Sequence, residues 1–142
     1  MGYCAKNHAQ SKCYLCSIAN ICASSHDIAV PKSKPLTRKE QVIFEGFLKI
    51  HGNEVERVVT EYPLGSYSAD AVIYLKDCKY YVVEVEQELN YVAIGQAIIY
   101  RYLYFRKHEK YARPMIICTK APTELKEACE IEQGIKVVEV KV

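Results

Sequence analysis

The chain has no tryptophan, and phenylalanine and methionine are scarce, at three and two residues. Its aromatic content is tyrosine, which occurs twelve times. No apolar run approaches the roughly 18 to 20 residues of a membrane-spanning helix, and no membrane partner is expected. The amino terminus lacks the basic, apolar and small-residue succession of a secretory signal, so a cytoplasmic protein is expected. Neither sign of charge dominates, the formal net charge being +2. That balance neither requires nor excludes nucleic acid, because acids that bind a metal ion are offset by the ion rather than by lysines. Repeats and low-complexity tracts are also missing, which sets aside fibrous and disordered classes.

What is present is a chain of 142 residues, half of them hydrophobic, the length of one domain with a core of its own. Cysteine is the unusual component. There are seven, and Cys4, Cys13, Cys16 and Cys22 crowd the first 22 residues. An odd total argues against a simple disulfide scaffold. Abundant Ile, Val, Glu and Lys suit a thermophilic or archaeal source, where intracellular disulfides do occur. The first 35 residues hold four lysines against one aspartate, a basic arm ahead of a near-neutral body.

Val30-Pro31-Lys32-Ser33-Lys34-Pro35 reads as an extended linker, dividing an arm at 1–30 from a domain at 37–142, with the linker at 31–36. Thr37-Arg38-Lys39-Glu40 has the form of a capping box, and Val42 to Ile50 follow with helical spacing until His51-Gly52-Asn53. Strands are expected over Val55 to Tyr62, Ala69 to Leu75 and the run Lys79-Tyr-Tyr-Val-Val-Glu-Val-Glu, with turns at 63–66 and 76–79. A long apolar helix is expected from Tyr91 to about Lys107, a strand from Pro114 to Cys118, a helix from Thr123 to Glu132 capped by Thr123, and a strand from Val137 to Val140. The order αβββαβαβ predicts a mixed sheet flanked by helices.

Glu84 and Glu86 stand two apart in the third strand and therefore share a face with Tyr80 and Val82. Antiparallel pairing through the 76–79 turn brings Asp70 nearly opposite them. Carboxylates so close repel unless protonated or bridged by a cation, and oxygen ligands suit Mg2+ or Mn2+. The plainer alternative is the wet face of an edge strand, with Lys or Arg as partners. Gln96 and Tyr100, four apart on the following helix, can point back toward the acids.

Asp70, then Glu84-Val85-Glu86, then Gln96 and Tyr100 in Ile94-Gly-Gln-Ala-Ile-Ile-Tyr-Arg101 resemble the PD-(D/E)XK nuclease superfamily, in particular its RecB-like branch with a Q-x-x-x-Y helix. The resemblance covers Thr37 to about Thr119. It implies a restriction-endonuclease-like α/β fold behind a Cys-rich arm. It also implies a metal held by Glu45, Asp70, Glu84 and the Val85 carbonyl, with Gln96 and Tyr100 contacting DNA or positioning the catalytic groups. Ala69 stands where the family has proline, and Glu86 where it has lysine. A glutamate there can serve as general base or help hold a second metal ion. The implied activity is metal-dependent phosphodiester hydrolysis on DNA, on ends or single strands, exonuclease or endonuclease, with a homodimer as the implied assembly. Lys79, Arg101 and Arg106 are candidates to neutralise phosphate, although a solvated helix face is the commoner use of such residues. Two rival readings are a nuclease fold that lost its lysine and serves as a nucleic-acid-binding or regulatory module, and a different metal-dependent hydrolase.

In the arm, Cys13-Tyr14-Leu15-Cys16 has the spacing of a metal knuckle, and four thiolates suit Zn2+ or a 4Fe-4S cluster, with His8 or His26 able to replace one cysteine. RecB-like nucleases with an iron-sulfur cluster show similar spacing but place three cysteines after the nuclease core, whereas all four precede it here. Cys78 falls in a turn, and Cys118 and Cys129 read as small core residues.

Overall fold

A computed structural model describes residues 35–142. The expectations for Cys4, His8, Cys13, Cys16, Cys22 and His26, and most of the 31–36 linker, lie outside the described residues.

Thr37 and Glu40 fix the start of helix α1, Arg38–His51, through reciprocal bonds. The Thr37 backbone N–H donates to the Glu40 carboxylate at 2.8 Å, and the Glu40 N–H donates to the Thr37 hydroxyl at 3.3 Å. Ile43, Phe44 and Phe47 recur at helical spacing and are buried. A turn of 3-10 helix at Gly52–Glu54 hands the chain to β1, Val55–Leu64. Then follow β2, Tyr67–Leu75, and β3, Tyr80–Glu88, in an antiparallel meander. The β1–β2 turn depends on Gly65, whose φ of 70° lies in the left-handed region.

Helix α2, Tyr91–His108, crosses to β4, Arg113–Lys120, which runs parallel to β3. A short helix α3, Thr123–Glu127, continues as a π-turn over Ala128–Glu132 before β5, Lys136–Glu139, parallel to β4. The sheet order is β1-β2-β3-β4-β5, the mixed sheet flanked by helices that the element order predicts. Strand ends differ from expectation by one to two residues. Thr123 does not cap α3: the chain enters through Pro122 and Thr123 is already helical, with no side-chain cap bond.

One face of the sheet packs on α1, where Phe44 and Phe47 meet Ala71, Ile73, Val83, Val85 and Ile117. The other packs on α2, where Ala93, Ala97, Tyr100 and Tyr104 meet Val72, Val82, Ile116 and Cys118. Central strands buried on both faces must be apolar throughout, which accounts for the Val-Val and Ile-Ile runs. Cys118 and Cys129 are core residues, and Cys78 is exposed in its turn. Among the described residues no helix is long and apolar enough to cross a membrane.

Helix α1 also approaches the carboxyl-terminal segment closely. A Cβ on Gly46 would lie 2.9 Å from a Val140 methyl and 3.1 Å from a Val142 methyl, whereas one on Gly52 would meet nothing within 4 Å. Gly46→Leu is therefore expected to destabilise by about 1–3 kcal/mol through overpacking. Gly52 has α-region angles, so Gly52→Ala should be neutral or stabilise by about 0.4–1 kcal/mol through the unfolded chain. Denaturant midpoints of the two variants would measure the contrast, and equal midpoints would contradict it.

Candidate functional site

The hairpin register places the acids. Ala71 pairs with Val83 and Val72 with Val82, so one further step sets Asp70 against Glu84. The pairing changes character there. The Val85 N–H donates to the Asp70 Oδ2 at 2.8 Å, and the Asp70 N–H leans on the Glu84 Oε1 at 3.4 Å. Carboxylates thus complete a ladder that carbonyls carry elsewhere.

Glu84 is 4% exposed and is the single buried charged residue among those described. Burial, and then the charge of Asp70, push its carboxyl up to about 9. Burial also raises Asp70, to about 6, against the lowering effect of the Val85 N–H and with the charges of Glu40 and Glu86 adding to the rise. Half-buried Glu86 is raised by burial and by Glu40, and a hydrogen bond to Asn90 opposes the rise. The ion pairs among the described residues join Lys79 to Asp77, Lys120 to Glu88 and Lys126 to Glu139, and none involves these acids.

Helix α2 contributes the polar half. Asn90 caps it by accepting the Ala93 N–H at 2.9 Å, and the same side chain bonds Glu86, which ties the helix start to the acids. One turn and more along, Gln96 hydrogen-bonds Tyr100, and Tyr100 lies in the field of Glu84 and Asp70. Its hydroxyl is raised by burial first and by those charges next. The Tyr67 ring lies 6.3 Å from that of Tyr100. Asp70, Glu84, Glu86, Gln96 and Tyr100 therefore gather at one end of the sheet, between β2, β3 and α2.

Other expected residues are elsewhere. Glu45 is exposed, and its place in the acidic field is taken by Glu40. Five residues of helix turn a side chain by about 140°, so the two glutamates cannot share a direction. Val85 meets Asp70 through its N–H, not its carbonyl. Lys79 sits at the opposite end of the β2–β3 hairpin, paired with Asp77 at 3.3 Å. Arg101 donates to the Gln133 carbonyl at 2.8 Å, bracing α2 against the end of the π-turn. Arg106 is exposed and lies 6.0 Å from the Tyr102 ring centre. Glu40 and Asn90, which sequence reasoning did not single out, are further side chains that interact with the acids of the site.

The donors suit a hard divalent cation: all are oxygens, they crowd together, and a cation would offset the burial and, after it, the repulsion that raise Asp70 and Glu84. They do not form a closed chelate. Among the described residues no group of three His, Cys, Asp or Glu is poised to hold an ion, so side-chain rotation would have to bring a third ligand in.

Sheet order, crossover and acidic end define a restriction-endonuclease-like mixed α/β fold. Solved structures share it: a repair endonuclease from Pyrococcus abyssi superposes with a TM-score of 0.61 at 15% identity, over 80% of this chain and 50% of that one. A structure described as an EndoMS–dsDNA2 complex gives a TM-score of 0.56 at 12% identity, over 80% and 50% of the two chains. EndoMS in apo form gives 0.55 at 11% identity, over 77% and 49%. The chain spans about half the length of these proteins. No protein-family model and no curated protein matches its sequence.

Proposed function

We propose that the chain is a metal-dependent DNA nuclease. The observation that carries the proposal is the pairing of buried Glu84 with half-buried Asp70, costly to hold together and faced by Gln96 and Tyr100. The likeness to a repair endonuclease and to EndoMS, the latter in a complex with double-stranded DNA, supports it. Asp70 and Glu84 would hold Mg2+ or Mn2+, with Glu40 in the supporting role expected of Glu45 and the Val85 carbonyl as a further ligand. A bound divalent ion supplies charge for the scissile phosphate and acidifies water. Glu86 accepts the proton of the attacking water, held in direction by Asn90. Gln96 fixes the Tyr100 hydroxyl, which orients the phosphate. The Q-x-x-x-Y pair, Gln96 and Tyr100, supports a reading in which the chain is RecB-like and acts on DNA ends or single strands. Cys4, Cys13, Cys16 and Cys22 would hold Zn2+ or a 4Fe-4S cluster in a separate arm.

A second reading, a nuclease fold kept as a DNA-binding module, draws on Glu86 standing in the lysine position. Incubating the purified protein with labelled single- and double-stranded DNA and Mg2+ or Mn2+, beside Glu84→Ala, separates the two. Cleavage by the wild type alone supports the nuclease. Cleavage by both proteins or by neither overturns it.

A further inference from the structure

At the other end of α2, on the same face of the sheet, a second recess opens. It has a volume of about 600 Å3 and is lined by Arg57, Tyr74, Tyr80, Tyr104, His108 and Lys110, among others. Its wall is a set of rings in contact. Tyr74 and Tyr80 meet edge to face with centroids 5.1 Å apart, and Tyr104 lies 4.5 Å from the His108 ring. The Tyr62 hydroxyl and His108 Nε2 are 2.6 Å apart, which locks the imidazole in place. Nothing in the proposed hydrolysis uses this assembly.

Two cations, Arg57 and Lys110, line the recess against one acid, Glu56, and Lys107 stands outside the lining beside Tyr62. The Arg57 guanidinium stacks over Tyr74 at 4.1 Å, and Lys107 lies 5.0 Å from the Tyr62 ring centre while donating to the Pro63 carbonyl. Lys110 is exposed beside His108. An aromatic cage for a cation would set acids in excess around the rings, whereas here Arg57 and Lys110 outnumber Glu56. A plain anion would need the cations and leave the rings without purpose. A ligand that is aromatic and anionic at once matches both, and the recess volume lies within the range of small-ligand sites. A nucleotide is such a ligand: its base stacks on tyrosine and its phosphate pairs with arginine or lysine.

Tyr100, at the acidic end, precedes His108 by eight residues of one helix, which is about 12 Å along the axis. At about 3.4 Å per nucleotide of a stacked strand, that separation is three to four nucleotides. We propose that this recess holds an unpaired nucleotide of the DNA, a few positions from the phosphate that reaches Asp70 and Glu84. The proposal rests on the nuclease reading for its polymer substrate, but its test needs no cleavage.

The test measures binding by the full chain in EDTA. Blunt duplex is compared with duplexes carrying four unpaired nucleotides at either the 3′ or the 5′ end. One tailed duplex is expected to bind about tenfold more tightly than the blunt one, the order of one base–aromatic stack. Tyr80→Leu, which removes a ring without changing charge, should erase that preference and leave blunt-duplex affinity unchanged. Lys110→Ala, at an exposed position that should not disturb folding, should reduce tailed binding more than blunt. Equal affinity for tailed and blunt DNA, or a preference that survives both substitutions, would overturn the proposal. Equal weakening on both substrates would also overturn it, by marking a general phosphate patch. A tail preference without cleavage would remove the nuclease reading and keep the recess. Cleavage without a tail preference would do the reverse.

Discussion

Replacing Glu84 with glutamine is expected to abolish cleavage and at the same time to make the metal-free protein more stable. The carboxyl stands near 4.5 when unconstrained and near 9 in the fold. Between those values the folded state binds a proton that the unfolded chain has released. Stability of the metal-free protein therefore falls as pH rises through the window from about 4.5 to about 9, and is not lost on the acid side of it. At pH 7 the burden on the wild type is on the order of 3 kcal/mol. Glutamine keeps the shape, has no charge to bury, and can still accept the Asp70 N–H. Thermal melts from pH 4 to pH 9 in EDTA should show the variant gaining on the wild type as pH rises, and Mn2+ should close the gap by stabilising the wild type alone. Curves that stay parallel across pH would show that Glu84 is not held protonated.

The second expectation separates two glutamates of one helix. Glu40→Gln should reduce cleavage about 10- to 100-fold, the range for residues that support metal ligands, while Glu45→Gln should leave it unchanged. Glutamine also serves at the third position of a capping box, so α1 should keep its start and the effect should fall on activity rather than on folding. Rates measured across Mn2+ concentrations would show whether Glu40 acts through metal affinity. If Glu45→Gln is the damaging change, the assignment of the helix acid to Glu40 is wrong.

This pair also shows where the sequence was legible. The strand acids were readable because period two is rigid: once the 76–79 turn is found, hairpin pairing brings Asp70 to Glu84. Gln96 and Tyr100 were readable because four residues make one turn of helix. Glu40 was hidden by its other task, since its carboxylate visibly completes the capping box. A signal was there all the same: Glu40 lies four before Phe44 and seven before Phe47, in line with the buried stripe, whereas Glu45 does not. Lys79 was misplaced for a similar reason. The pairing that brings the acids together sends the turn residues to the far end of the same two strands. The second recess was not legible, because Arg57, Tyr74, Tyr104 and His108 come from different elements and carry no common spacing.

The bond from the Val85 N–H to Asp70 bears on what the chain would become without its activity. Asp70 completes the strand pairing, so the fold itself would hold on to it. Glu84 contributes only the long 3.4 Å contact with the Asp70 N–H, and its burial works against the folded state at neutral pH. A lineage drifting into disuse would shed Glu84 first and grow sturdier by doing so. In the metal-free protein, Glu84 is the acid that the fold alone has least use for.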